Sequence, residues 1–206
     1  MANHLYKGDL PDGLDLGPVV AIDTETMGLH VGRDRLCLVQ LSSGDGNCHL
    51  VQMPIPGKNG RMEAPNLARL LADPKVLKLF HFARFDIAVM LHHLGVQTAP
   101  VYCTKIASRL IRTYTDRHGL KDLLKEVCGV EISKQQQSSD WGAPDLTPEQ
   151  MAYAASDVLY LHGLMTKLNV ALEREGRTHL AKAMFDFLPT RAELDLLGWV
   201  NDVFEH

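Results

Sequence analysis

The chain has 206 residues, of which 46% are apolar and 22% are charged, and its formal charge is −4 at pH 7. This length suits one α/β domain, alone or with a short appendage, and the composition is ordinary for a globular protein. The weak negative charge argues against a strongly basic nucleic-acid binder, so any affinity for a polynucleotide must come from a local patch.

The N-terminal segment MANHLYKGDLPDG lacks the basic and apolar regions of a signal peptide. No apolar run approaches the roughly 18 residues that a membrane span needs. The four cysteines (Cys37, Cys48, Cys103 and Cys128) have no metal-binding or disulfide spacing, which predicts buried or half-buried thiols in a reducing compartment. We therefore expect a cytoplasmic protein without membrane contact.

The first half of the chain is predicted to alternate between strands and helices. In chain order, the patterns predict strands over 19–22, 35–42 and 48–53, a helix over 65–72, a strand over 76–82 and a helix over 84–93 that ends at Gly95. Helices over 101–112 and 119–128 follow, and Gly129 closes the second with a left-handed cap.

Two capping patterns mark the later helices. Thr147, Pro148 and Gln150 form a strong helix start, from which a helix is predicted to run to about Arg174. The segment 190–193 repeats the pattern and is predicted to open a C-terminal helix. Strands early and helices late, with one meander, predict a three-layer α/β domain.

Four acidic residues and one tyrosine interrupt otherwise apolar segments. Asp23 and Glu25 lie two residues apart at the end of a predicted strand, so their side chains face the same side. Tyr153 and Asp157 are one helical turn apart, and Asp86 begins a helix directly after a strand. Acids gathered at the edges of buried elements repel one another and lose hydration unless cations compensate. The pattern predicts a binuclear divalent-metal site for phosphoryl transfer.

Each of these residues also has an ordinary structural interpretation. An isolated D-x-E pair is common, and Asp86 could favour a helix N-terminus through its charge. Asp157 could be a solvated or paired mid-helix acid, and Tyr153 could pack in the core with its hydroxyl at the rim. It is the order and context of all five residues that favour a shared site.

The motifs that carry these residues resemble those of the ribonuclease D group of DEDD exonucleases, in the ribonuclease H-like superfamily. The first motif is D-x-E at Asp23 and Glu25, the second is H-x-A-x-x-D over 81–86, and the third is Y-x-x-x-D at Tyr153 and Asp157. The segments TKIASRL, GLKDLL and SDW between the motifs extend the resemblance.

The resemblance covers roughly residues 15–170 and indicates the tyrosine type of the group. The histidine type needs His five residues before Asp157, where this chain has Ala152, and Tyr153 stands four residues before it. The resemblance implies a ribonuclease H-like three-layer α/β/α exonuclease domain with a mixed central sheet, which we predict over residues 1–175.

The implied reaction is hydrolysis at a 3′ end with two divalent ions, Mg²⁺ or Mn²⁺, releasing 5′-mononucleotides. In that scheme Asp23 bridges both ions, Glu25 and Asp157 hold the ion that activates water, and Asp86 supports the second ion. Tyr153 orients the attacking water, because a phenol with a pKa of about 10 is a poor base at neutral pH.

Substrate contacts are predicted beside the motifs and in the donor-rich loop 133–139. The candidates are Thr24, Met27, Gly28, Leu29, His81, Lys134 and Gln135. By resemblance Leu29 wedges against the terminal bases, although ordinary packing would also explain it, and the loop could simply be solvated. Lys105, Arg109 and Arg112 share a predicted helix face that either follows a nucleic-acid backbone or is only solvated.

The chain departs from full-length ribonuclease D proteins near its C-terminal end. About 30 residues follow the last predicted helix of the fold, too few for a helical nucleic-acid-binding domain, and Gly-Ala-Pro-Asp-Leu follows Trp141 in place of Arg-Pro-Leu. A compact chain resembles more closely the bacterial nanoRNase C enzymes, which degrade very short RNA, dinucleotides above all, and form homo-octamers. Residues 176–206 are predicted to be a C-terminal helical extension. Its apolar residues, which either contact another copy or fold back on the domain, are Leu194, Leu197, Trp199, Val200 and Phe204.

The leading hypothesis is therefore a metal-dependent 3′-5′ exoribonuclease that acts on short RNA, dinucleotides favoured. A 3′-5′ exonuclease acting on DNA or on longer RNA ends stays open, because the same five residues serve both sugars. The remaining alternative is a non-catalytic nucleic-acid-binding module. Loss of an acid would be its signature, and none of the four is lost.

Overall fold

The computed structural model describes residues 2–58, 60–133, 135–199, 201 and 203. Within these residues the centre is a six-stranded mixed sheet with the order β1-β4-β3-β2-β5-β6. The strands are β1 (Asn3–Lys7), β2 (Val19–Thr26), β3 (Leu36–Ser42), β4 (Cys48–Gln52), β5 (Leu77–Phe80) and β6 (Val101–Cys103). β3 is antiparallel to both β2 and β4, whereas the β1–β4, β2–β5 and β5–β6 ladders are parallel.

Helices cover both faces of the sheet. They are α1 (Pro65–Ala72), α2 (Ala83–Leu94), α3 (Thr104–Ile111), α4 (Leu120–Cys128), α5 (Pro148–Leu159), α6 (Leu161–Arg174) and α7 (Thr178–Leu196). Neighbouring residues of a strand point to opposite faces. On β2, Asp23 lies beside Asp157 of α5 and Thr24 bonds to Asp86 of α2, so these helices flank opposite faces. The predicted three-layer α/β/α arrangement with a mixed sheet is confirmed.

Local signals in the sequence position the helices that carry the site. Thr147 accepts the backbone N–H of Gln150, and the Gln150 side chain accepts the backbone N–H of Thr147, which forms the predicted capping box of α5. Gly95 and Gly129 are left-handed and end α2 and α4, as predicted. These short-range signals set where α5 begins and where α2 and α4 end.

Two strands depart from the predictions. Residues Asn3–Lys7 form β1, which pairs parallel with β4, although their polar sequence shows no apolar alternation. Such an exposed edge strand leaves little pattern in the sequence. Val101–Cys103 form β6 rather than the start of a helix, because pairing with β5 outweighs helical periodicity there. The helix begins at Thr104.

Two helix boundaries were also predicted wrongly. The helix predicted to run to Arg174 is interrupted at Tyr160, which separates α5 from α6. The last helix begins at Thr178 and not at Thr190. Arg177 precedes it, and Gly176 before that has a left-handed backbone. Thr190 follows Pro189 in the interior of α7, so the capping pattern at 190–193 does not mark the start of a helix.

The C-terminal helix α7 packs on its own domain, against α2, α3, α6 and β6. It buries Ala181, Phe185, Leu188 and Ala192, whereas Leu197 and Trp199 are exposed. Val200 and Phe204 lie outside the described residues. The predicted division at residue 175 and the oligomer contact of the extension both stay predictions.

The thiol prediction is confirmed, since three of the cysteines are buried and Cys128 is half-buried, all of them unpaired. Among the described residues, no helix combines the length and the apolar character that crossing a membrane requires.

Candidate active site

The four predicted acids converge at the end of β2. One carboxylate oxygen from each of Asp23, Glu25 and Asp157 lies within 4.8 Å of the other two. Asp86 enters from α2 on the opposite face, is almost fully buried, and lines the same cavity. Residues far apart in the sequence therefore share one small volume, as their motifs predicted.

Two polar side chains orient two of these acids. Gln40 on β3 stands opposite Asp23 in the ladder and donates its Nε2–H to Oδ2 of Asp23 over 3.1 Å. Thr24 donates its hydroxyl to Oδ1 of Asp86 over 2.6 Å. Each bond orients one carboxylate, as partners behind metal ligands do.

Gln40 was missed by the sequence reasoning, although a signal for it exists. It is a fully buried amide within a strand whose other residues are also buried. A polar residue in such a position needs a partner. Thr24 was predicted as a substrate contact. It lines the cavity, but its hydroxyl is engaged by Asp86.

Burial and mutual repulsion raise the pKa values of the acids. Burial, followed by the charges of Asp157 and Asp86, raises the pKa of Glu25 to about 9. Burial raises the pKa of Asp86 to about 7 against the opposing effect of the Thr24 hydrogen bond. The pKa of Asp23 also lies well above its usual range, through burial and then the charge of Asp86.

Among the described residues, no cationic side chain is a chief influence on the pKa values of Asp23 and Glu25. Negative charge concentrated in this way, on oxygen donors alone, suits a hard divalent cation. A divalent metal ion thus fits the residues present.

Tyr153 is held as a neutral hydrogen-bond donor. Burial, followed by the charges of Asp157 and Glu25, raises the pKa of its phenol, which also hydrogen-bonds to Asp157. Its ring lies 6.0 Å from that of Trp141, centroid to centroid, and both line the cavity. A phenol that keeps its proton can orient a ligand but cannot act as a base at neutral pH.

The catalytic cavity that contains these residues has a volume of about 650 Å³. Met27, Gly28 and Leu29 line it, and Leu29 is 86% exposed, so packing does not account for its position. A Cβ atom on Gly28 would lie 2.2 Å from Oδ2 of Asp34, so a larger residue here would displace the Asp34 carboxylate. The predicted wedge residue thus stands at the mouth of the site.

Of the remaining predicted substrate contacts, His81 lines the cavity and Gln135 does not. His81 lines the cavity with its Nδ1 atom 2.9 Å from Oγ1 of Thr104. Gln135 is exposed and does not line the cavity, although its neighbours Gln137 to Ser139 do. Lys134 lies outside the described residues.

The three basic residues predicted to share a helix face fall into two groups. Lys105 lines the catalytic cavity, with its Nζ atom 4.0 Å from the ring centroid of Phe82. Arg109 is exposed on the same helix. Arg112 is buried and bound to Glu126, so it cannot follow a nucleic-acid backbone.

Comparison with known proteins agrees with this geometry. Residues 9–173 match the protein family described as 3′-5′ exonuclease. Ribonuclease D of Gluconacetobacter diazotrophicus is 37% identical over 160 residues, which are 78% of this chain and 39% of that protein. The chain thus spans about two fifths of the length of the curated relatives it matches.

Two solved structures are similar over their whole length. Brucella melitensis NrnC with bound Mg²⁺ superposes with a TM-score of 0.93 at 52% identity, covering 100% of both chains. Brucella melitensis NrnC bound to pGG gives a TM-score of 0.94 at 53% identity, covering 100% of this chain and 99% of the other. The ribonuclease D likeness, predicted from the motifs, and the nanoRNase C likeness, predicted from the compact length of the chain, are both confirmed.

Proposed function

The chain belongs to the 3′-5′ exonuclease family, and on that premise we propose that it is a 3′-5′ exoribonuclease that hydrolyses short oligoribonucleotides to 5′-mononucleotides. The observation that carries the proposal is the cluster of Asp23, Glu25 and Asp157, with Asp86 in the same cavity. These are the residues that the motifs of the family predict, in an arrangement suited to metal-dependent hydrolysis.

Within this proposal the site holds two divalent ions, Mg²⁺ or Mn²⁺. Asp23, Glu25 and Asp157 would hold one, and Asp23 with Asp86 the other. Bound ions supply a water nucleophile at neutral pH and stabilise charge on the phosphate. The all-oxygen donors and the raised pKa values support a hard cation here.

Each remaining residue of the site has a role that its environment supports. Tyr153 orients the attacking water through its hydroxyl and does not ionise, because burial and Asp157 raise its pKa. Gln40 and Thr24 hold Asp23 and Asp86 in fixed orientations. Because no side chain forms a bond to the substrate, hydrolysis proceeds without a covalent intermediate on the protein.

Leu29, Met27 and His81 are the proposed substrate contacts. Leu29 is the most exposed large apolar residue beside the acids, which supports contact with the terminal bases. The pGG ligand of Brucella melitensis NrnC supports a substrate as short as a dinucleotide.

Cytoplasmic location and assembly into a homo-octamer are further predictions of this proposal. Light scattering tests the assembly. A monomer at micromolar concentration would contradict the octamer and leave the proposed reaction unaffected.

The proposal is tested with 5′-labelled RNA of two to about twenty nucleotides, incubated with Mg²⁺ or Mn²⁺. We expect stepwise loss of 3′ nucleotides, release of 5′-mononucleotides, and the highest kcat/KM on the dinucleotide. Products that lose nucleotides from the 5′ end would contradict the direction. A higher kcat/KM on the twenty-nucleotide RNA would contradict the length preference.

Matched DNA dimers and 20-mers address the alternative of a DNA exonuclease. The four acids and Tyr153 do not distinguish ribose from deoxyribose, so the comparison of rates decides between them. We expect faster cleavage of RNA. Equal or faster cleavage of long DNA would overturn the short-RNA proposal.

A further inference from the structure

A second cavity of about 720 Å³ adjoins the catalytic cavity, between α3 and α7. We call it the lateral cavity, and the residues that matter in it are Phe82, Lys105, Ile106, Arg109, Met184 and Leu188. Phe82 and Lys105 line both cavities. The lateral cavity therefore adjoins the catalytic cavity and has the size of a ligand site.

The lateral cavity combines an apolar wall with a cationic rim. Arg109 is exposed and has no ion pair among the described residues, and Lys105 lies against the ring of Phe82. Arg84 and Arg191, which also line the cavity, both bind the carboxylate of Asp195. Lys105 and Arg109 place positive charge beside the apolar wall, so the cavity suits a ligand with an apolar ring and an anionic group.

Phe82 has an unusual backbone at the boundary of the two cavities. Its φ of 69° lies in the left-handed region, which a residue with a side chain rarely adopts. It directly precedes α2, and its ring is half-exposed. Strained backbone of this kind is found where a side chain is needed in one position for function.

From these observations we propose that the lateral cavity binds the third nucleotide from the 3′ end of an oligoribonucleotide. The base lies against Phe82, Ile106 and Met184, and the phosphate is bound by Lys105 and Arg109. The last two nucleotides occupy the catalytic cavity, so a dinucleotide does not use the lateral cavity. This inference rests on the proposed function and explains how longer RNA is held.

A pair of charge insertions on α7 tests the proposal. Met184 lines the lateral cavity and Leu180 does not, although they are one turn apart and have similar exposure, 47% and 46%. We expect Met184→Glu to lower kcat/KM for a trinucleotide about tenfold more than for the dinucleotide with the same 3′ sequence, because the new carboxylate repels the phosphate. Leu180→Glu is expected to leave the ratio unchanged.

Salt dependence provides a second readout with a second pair of variants. Arg109→Ala removes a cation from the lateral cavity, and Arg117→Ala removes an exposed arginine elsewhere. Loss of one phosphate contact lowers the slope of log kcat/KM against log salt by about 0.7 for single-stranded nucleic acid. We expect that change with Arg109→Ala on the trinucleotide, and no change with Arg117→Ala.

The results of these experiments distinguish failure of the lateral-cavity inference from failure of the proposed exoribonuclease function. Cleavage of the dinucleotide with an unchanged length ratio in Met184→Glu would overturn the inference alone. A changed sedimentation coefficient of Met184→Glu, with equal losses on both lengths, would assign the cavity to a second copy of the chain. Failure to cleave RNA of any length by the unmodified chain would overturn both proposals.

Discussion

Two regions of this chain bury charged groups and treat those charges in opposite ways. The guanidinium of Arg112 is buried between α3 and α4, where it donates to both carboxylate oxygens of Glu126, to Oγ of Ser108 over 3.1 Å and to the carbonyl of Arg117 over 2.6 Å. The hydroxyl of Tyr114 donates to the same glutamate. The chain neutralises this charge by itself.

The acids at the end of β2 differ, because among the described residues no cationic side chain is a chief influence on the pKa values of Asp23 and Glu25. Asp23, Glu25 and Asp157 crowd within 4.8 Å, and their pKa values are pushed upward where they are resolved. Removing one partner of a neutralised buried charge destabilises a fold, whereas clustered acids with strongly raised pKa values indicate a functional site that can bind a counter-charge. The difference between the two regions is the basis of the functional proposal.

The largest expected effect follows from removing one acid of the cluster. Asp157→Asn keeps the shape of the side chain but removes a metal ligand, so we expect kcat on a dinucleotide to fall by about a thousandfold or more. The fold is expected to remain, because repulsion is relieved. Glu149→Gln, an exposed acid on the same helix, is the control and should retain full activity. Retained activity in Asp157→Asn would contradict the claim that the acid cluster, unlike the Arg112 region, is a functional site.

A smaller loss is expected when the support of one acid is removed. Gln40→Leu preserves volume but abolishes the hydrogen bond to Asp23, and changes behind metal ligands typically cost about 10- to 100-fold in metal affinity or activity. The readout is the Mg²⁺ concentration that gives half-maximal activity, which should rise. An unchanged Mg²⁺ dependence would show that Gln40 only fills space.

The opposite pattern is expected in the neutralised region. Arg112→Met leaves Glu126 without its partner, and we expect about 1–3 kcal/mol lower stability by urea unfolding, with activity per folded chain retained. Glu126 is partly exposed and can be solvated, which limits the loss. Lost activity with unchanged stability would reverse the roles assigned to the two regions.

The smallest effect expected is a dependence of stability on pH in chelator. The folded pKa values of Glu25, about 9, and Asp86, about 7, exceed those of the unfolded chain. The folded state therefore binds more protons, and stability falls as pH rises from about 5 to about 9. We expect Tm to drop by several degrees over that range, and Mg²⁺ to raise Tm more at higher pH. A Tm that rises with pH would contradict an unneutralised cluster.

The sequence allows the clustering of the four acids to be predicted because the motifs that carry them are local. D-x-E on a strand and Y-x-x-x-D on a helix each fix two side chains on one face, whatever the rest of the fold does. The capping box at Thr147 and the left-handed cap at Gly129 are likewise short-range signals. The shared faces and the two caps were predicted correctly, and so was the three-layer fold, from the order of strands and helices and from the resemblance.

Features that depend on distant pairing escaped prediction. Gln40 meets Asp23 only through the register of β2 with β3, and Val101 to Cys103 become a strand only because β5 lies beside them. Arg112 has the spacing of a basic face, yet Glu126 lies where it can bury that charge. These three features depend on which strands and helices become neighbours in the fold. The spacing of residues within one strand or helix does not specify that.

The most direct test of the uncompensated cluster is cleavage of a 5′-labelled RNA dinucleotide by chain dialysed against EDTA, followed by stepwise addition of Mg²⁺. The account predicts no cleavage above background after dialysis and full recovery with Mg²⁺, with folding unchanged by circular dichroism. Undiminished cleavage in EDTA would show that the four acids act without a divalent ion and would contradict the account.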